Sequence, residues 1–280
     1  MKTISYGLLA LSLLAGGQVQ AAEGRLLPSK PAPGLRAYTY EVAEVVNGKF
    51  TQGYRMAFDL QTGPDGAIDA LVRAAEETTD AKTWLAVAVS DACKVATHAR
   101  SGGLARVRLW PMSPEAAKAM GPAFLDTCAP AGVFFPITDI VNVAVIPLTP
   151  TFKVETLKRK GDTAHYEGFN AHYDRAGESL TEFTHGGEVS LLSLEGGKVV
   201  IDWAPAMADL DLVEKAGGQP VHLVGTEHFA FRVTLNATTG ALVEAHTIYD
   251  DLDLKAHMAG MPDGVSTPVK ISRAVTIKPG

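Results

Sequence analysis

The segment from Thr163 to Asp174 reads Thr-Ala-His-Tyr-Glu-Gly-Phe-Asn-Ala-His-Tyr-Asp and sets His165, Glu167, His172 and Asp174 close together in the chain. Imidazole and carboxylate groups in one place can hold a transition metal or exchange protons with a substrate. What they do here depends on where the chain turns. A tight turn at Phe169-Asn170 sets Glu167 across from His172 and His165 across from Asp174, which gathers all four on one surface. A strand running straight through puts His165 and Glu167 on the face opposite His172 and Asp174, and the cluster dissolves. Lys160-Gly161-Asp162 and Ala176-Gly177-Glu178 are the stronger turn signals, so the straight strand is the expectation and no metal is assigned.

The other chemistry-bearing groups read in a similar way. His222, Glu227 and His228 lack the helical pairing that brings two metal ligands together, and His228 falls on the polar phase of the strand that continues through Phe229. Asp209-Leu210-Asp211-Leu212 and Asp250-Asp251-Leu252-Asp253-Leu254 lack the glycine and final glutamate of a calcium loop. Their alternation fits strand edges whose charges discourage edge-to-edge pairing. Arg273 stands in the apolar phase between Ile271 and Val275, so it needs a carboxylate partner or a bulge. Asp126-Thr127-Cys128 has Cys where an aspartic protease has Gly. No Gly-x-Ser-x-Gly, His-Glu-x-x-His, phosphate-cradling or dinucleotide motif occurs. The chain is expected to be non-enzymatic, with no cofactor and no catalytic residue assigned.

The elements that would position these groups are strands. Tyr38, Tyr40 and Val42 alternate with Thr39 and Glu41; beyond the Asn47-Gly48 turn signal, Tyr54, Met56, Phe58 and Leu60 alternate with Arg55, Ala57 and Asp59. The same period of two recurs through Val199, Ile201 and Trp203, through Phe229, Phe231, Val233 and Leu235, and through Val269 to Ile277. Alternation of this kind marks antiparallel sheet with one wet face. The expected fold is mainly β: an antiparallel curved sheet or half-barrel, with a short helical insertion around residues 91–147. Ser113-Pro114-Glu115 is a helix start, and residues 138–146 suit either a short helix or a buried strand. Residues 54–63 resemble residues 231–240, which leaves open two related half-sheets, 37–147 and 148–280, within one domain spanning 37–280.

Lys2, the apolar run Leu8 to Ala15 and the small residues Val19 and Ala21 form a cleavable signal peptide over residues 1–21. Residues 22–36, with Pro28, Pro31 and Pro33, form an extended leader. The expected compartment is periplasmic or extracellular. No cysteine lies at the cleavage site for lipid attachment, and the mature chain is expected to carry no transmembrane segment. Cys93 and Cys128, the two cysteines, are expected to pair in an oxidising compartment, stabilising by about 3–4 kcal/mol in the chain-entropy model.

A net charge of −6 without a basic stripe excludes nucleic acid as a partner. Tyr38, Tyr40, Tyr54, Phe58, Trp203, Phe229 and Phe231 all lie on apolar phases and are the candidate ligand-binding residues. They suit a soluble envelope binding or carrier protein for a lipid or other apolar or amphipathic ligand. Its architecture resembles that of periplasmic lipoprotein and lipid carriers at the level of fold, without matching motifs. An envelope assembly protein acting on a protein partner, and a metal-dependent enzyme using His165 to Asp174, are the alternatives.

Overall fold

The computed structural model describes residues 26–28, 31–64, 68–87, 95–97, 109–111, 139, 143, 154–175, 178–205, 207–216, 219–258, 260, 262 and 264–280. The expected signal peptide, the Cys93–Cys128 pair and the helix after Ser113 lie outside those residues. The strands are β1 (Gly34–Val46), β2 (Lys49–Thr62), β3 (Ile68–Thr78), β4 (Leu85–Val87), β5 (Val95–Thr97), β6 (Leu109–Pro111), β7 (Thr163–Tyr166) and β8 (Phe169–Arg175). They continue as β9 (Glu178–Thr184), β10 (Gly187–Glu195), β11 (Lys198–Pro205), β12 (Ala208–Ala216), β13 (Gln219–Asn236), β14 (Leu242–Met258) and β15 (Thr267–Pro279).

Thirteen of these strands build one open antiparallel sheet, as the alternation predicts. Its main path runs β4-β3-β2-β1-β15-β14-β13-β11-β10-β7. The first and last strands of the domain therefore lie side by side, with Tyr38 to Val46 registered against Pro279 to Ile271. β5 and β6 form a separate two-stranded ribbon inside the span expected to be a helical insertion. Within residues 138–146, Asp139 and Val143 are described and both are helical.

Each strand follows from its residue pattern. In β1, Tyr38, Tyr40 and Val42 are buried while Thr39 and Glu41 are not. The β1–β2 turn takes Asn47 and Gly48 at φ 50° and 80°, the left-handed pair that matches hairpin twist. The Asn47 side chain accepts from the Lys270 backbone at 3.0 Å and locks the turn to β15. Val199, Ile201, Val233, Leu235 and Ile277 are fully buried on the same face. On that face Tyr38 stacks on Phe58 at 5.5 Å between centroids, and its hydroxyl donates to the Leu242 carbonyl at 2.7 Å.

The sheet forks at β13. Residues Gln219 to Glu227 pair with β12, and Phe231 to Asn236 pair with β11, while β14 runs along the other side of both halves. From β12 the fork continues to β9 and then β8. β12 is thus an internal strand, and its Asp209 and Asp211 face solvent opposite His185 and His222 at 2.9 and 2.8 Å. This corrects the expectation that the alternating Asp-Leu runs protect sheet edges. β14 is internal as well, lying between β13 and β15.

Close strand approach at the fork requires Gly225. A Cβ there runs into the Asp253 carbonyl oxygen, a backbone atom that no rotamer change can move aside. Gly225→Ala is expected to cost about 1–3 kcal/mol through forced strand displacement, read as a lower urea midpoint at unchanged m-value.

Candidate functional site

Where β13 forks, five charged side chains stand in the apolar phases of five strands. Glu44 follows Tyr40 and Val42 in β1, Glu182 follows Leu180 in β9, and Glu227 precedes Phe229 in β13. Asp250 shares a phase with Leu252 and Leu254 in β14, and Arg273 lies between Ile271 and Val275 in β15. Burial follows from phase: an apolar-phase side chain on an internal strand points into the core whatever its charge.

Local irregularities let them meet. The β13–β14 register shifts between Ala230 and Phe231, leaving Ile248 as an extra residue, and the β14–β15 ladder is interrupted between His246 and Asp251. Bulges of this kind re-aim side chains. Thr247 takes over part of the interrupted ladder, its hydroxyl accepting from the Val275 backbone at 2.9 Å. Asp250 is directly registered with Phe229, and Arg273 with Glu44.

The Arg273 side chain is 10% exposed. It donates to Asp139, which also accepts from the Tyr40 hydroxyl at 2.7 Å. It lies 3.3 Å from Asp250, 3.8 Å from Glu227 and 3.9 Å from Glu44. The sequence calls for a carboxylate partner or a bulge at Arg273, and the structure has both. Burial disfavours the guanidinium cation, but Asp139, Asp250, Tyr40 and Glu227 together outweigh that and hold it firmly protonated.

Asp139, Glu182, Glu227 and Asp250 line a partly open pocket with Arg273 as the cation among its lining residues. Trp203, Phe229 and Phe231 form its aromatic wall. Trp203 meets Phe229 edge-on at 5.4 Å and stacks with Phe231 at 6.0 Å, and its indole N–H donates to the Tyr166 hydroxyl at 2.9 Å. The free volume is about 30 Å³ for the centres of small guests, room for about two waters.

Four carboxyls against one guanidinium cannot all ionise in so dry a place. Burial, reinforced by neighbouring acids, raises Glu182 and raises Glu227 strongly. Glu182 is partly relieved by the Thr184 hydroxyl, which donates to it at 2.6 Å. Asp250 is raised by burial to about 6, the Arg273 charge restraining the rise. Its side chain is 1% exposed, and neither of its oxygens accepts a well-aligned hydrogen bond.

The residues singled out by sequence pattern are distributed unevenly in space. Trp203, Phe229 and Phe231 line the pocket. Tyr38, Tyr40 and Phe58 are packed in the core, and Tyr54 is partly buried against it. Burial raises the hydroxyls of Tyr38 and Tyr54 to about 12, so both stay neutral. β7 and β8 pair with different strands, β10 and β9, so no hairpin gathers His165, Glu167, His172 and Asp174. Instead the chain breaks at Glu167-Gly168, and His165 and Glu167 are exposed. Among the described residues no three His, Cys, Asp or Glu side chains are placed to hold a metal. His228 is exposed, and His222 lies beside His257 at 6.1 Å between ring centroids.

Sequence pattern alone did not single out the acids of the pocket as a site. The signal is nonetheless present: Glu182, Glu227 and Asp250 break the apolar phase of their strands just as Arg273 does.

No protein family and no curated protein matches the sequence. Among solved structures, the one described as lipid–protein interactions in lipovitellin aligns with 91% of this chain at 8% identity and a TM-score of 0.40. This chain spans 25% of that lipovitellin chain. A mutant of the Rh. blastica porin aligns with 88% of this chain and 99% of its own, at 9% identity and a TM-score of 0.19. At these scores neither likeness bears on function.

Two outcomes follow from the charge balance. An acid whose folded value is raised makes the native state bind more protons than the unfolded chain between the two values, so stability falls as pH rises through that window. For Asp250 the window runs from the ordinary 3.8 to about 6, and Glu227, raised by the same burial, acts in the same direction. The melting temperature is expected to drop by roughly 5 °C between about pH 5 and pH 7.5, and Asp250→Asn is expected to flatten the drop; a melting temperature that climbs over that range defeats the assignment. Arg273→Met leaves the carboxylates without their cation and is expected to cost about 3–5 kcal/mol at neutral pH, shrinking near pH 4.5. An equal loss at both pH values in urea titrations points to packing instead.

Proposed function

We propose that the chain is an exported, non-enzymatic binding protein of the cell envelope whose ligand is amphipathic. The observation that carries this reading is the pocket at the fork, where three aromatic rings on the apolar sheet face adjoin a group of buried charges. A purely apolar ligand has no use for such charges, and a fully polar one has none for the aromatic wall. The signal-like residues 1–21 and the absence of a recognisable catalytic motif favour an exported carrier over an enzyme.

An assembly role has one feature in its favour, the open sheet with β4 and β7 at the ends of its path, to which a partner strand can add. Organic extraction of protein purified from its native envelope, followed by mass spectrometry, separates the two. The expected result is an amphiphile recovered at close to one equivalent per chain. Protein that carries no amphiphile, and shows no thermal stabilisation with a panel of single- and double-chain amphiphiles, overturns the carrier reading.

A further inference from the structure

We infer that the pocket at the β13 fork takes a protonated primary amine, the cationic head of the amphipathic ligand, an identification that rests on the binding-protein reading above. Charge sets the sign of the guest. Among the described lining residues four carboxyls, three of them pushed by burial toward their neutral forms, stand against Arg273, so an entering cation draws compensating negative charge from acids that can release a proton, whereas an anion finds no such response. This also disposes of Arg273 as an anion receptor: its donors already face Asp139 and Asp250.

Hydrogen bonding sets the kind of cation. Asp250 is buried with neither oxygen in a well-formed hydrogen bond, the Arg273 guanidinium standing off at 3.3 Å, an arrangement that only partly offsets its desolvation. An ammonium group supplies three N–H donors from one small centre and can reach Asp250 together with a neighbouring carboxylate. A metal ion would need several oxygens converging on one point, and no such group exists among the described residues. The available 30 Å³ or so fits a small head and excludes a bulky one. Trp203, Phe229 and Phe231 line the pocket, and aromatic rings beside a cation attract it and accommodate its first methylenes.

Entry of a cation also displaces protons. The groups acting on Asp250 are Arg273 on β15, Glu227 on β13, Glu182 on β9, the adjacent Asp251 on β14 and Asp139, while Glu44 and Tyr40 on β1 face Arg273 and Asp139. Added positive charge stabilises their ionised carboxylates, so binding near neutral pH releases protons to solvent.

The test is calorimetric titration of the full chain with n-butylammonium chloride, n-butanol and potassium chloride, near pH 6.5 in two buffers of different ionisation enthalpy. Saturable butylammonium binding with proton release, weakened roughly tenfold to hundredfold in Asp250→Asn and also weakened in Glu182→Gln, supports the inference, both variants being checked for native circular dichroism. Butanol binding as tightly as butylammonium leaves the binding-protein reading standing and overturns the cation. Potassium competing on equal terms overturns the amine in favour of an inorganic cation. Failure of butylammonium to bind a protein that does carry an extracted amphiphile overturns the head-group assignment alone. Butylammonium binding to a protein that carries no amphiphile upholds the site and removes the carrier.

Discussion

The organising constraint of this molecule is the Arg273 guanidinium, buried, among the described residues, with more carboxyls than it can neutralise. Arg273 stands in a strand whose neighbours on the same face are aliphatic, and the cost of burying it is offset by Asp139 and by acids arriving from three other strands. A buried ion pair rarely adds net stability, yet removing one partner is costly because the others remain. The arrangement therefore fixes the relative placement of β1, β13, β14 and β15 more than it strengthens the fold. By contrast, the Arg232–Asp202 pair on the opposite face, at 2.7 Å but with the arginine 41% exposed, is the ordinary surface kind worth at most about 1 kcal/mol.

The fork in the sheet and the charged pocket are two aspects of one geometry. Between Glu227 and Phe231 the long strand β13 changes partner from β12 to β11, and opposite that change β14 carries its extra residue. A regular ladder would leave no space for unlike side chains at such a junction. The bulge opens a gap, aromatic rings close one wall of it, and the acids of adjoining strands project into the remainder. Burial raises Glu182, Glu227 and Asp250 and so favours their neutral forms in the gap, and the same groups can ionise toward a cationic guest.

Strand alternation reveals the sheet because a half-buried strand must repeat every two residues, and β1, β2, β11, β13 and β15 all do so. It also picks out Arg273 and the need for a partner or a bulge. The same rule applies to Asp250, which shares its phase with Leu252 and Leu254, but the adjacent Asp251 and Asp253 make the run read as a charged edge. Glu227 stands out in the sequence for its flanking histidines, when its significance lies in its phase with Phe229.

What the sequence by itself determined is the class of fold, the wet and dry faces of its strands, and the inward placement of Arg273 with its need for a partner or a bulge, because these depend on local period alone. Which strands become neighbours was decided by tertiary structure. The pairing of β1 with β15, the fork at β13 and the bulge at Ile248 join residues as far apart as Glu44 and Arg273, and such pairings arise from the competition of whole strands for partners. No local spacing records that competition, so the pocket exists only once the sheet has assembled around it.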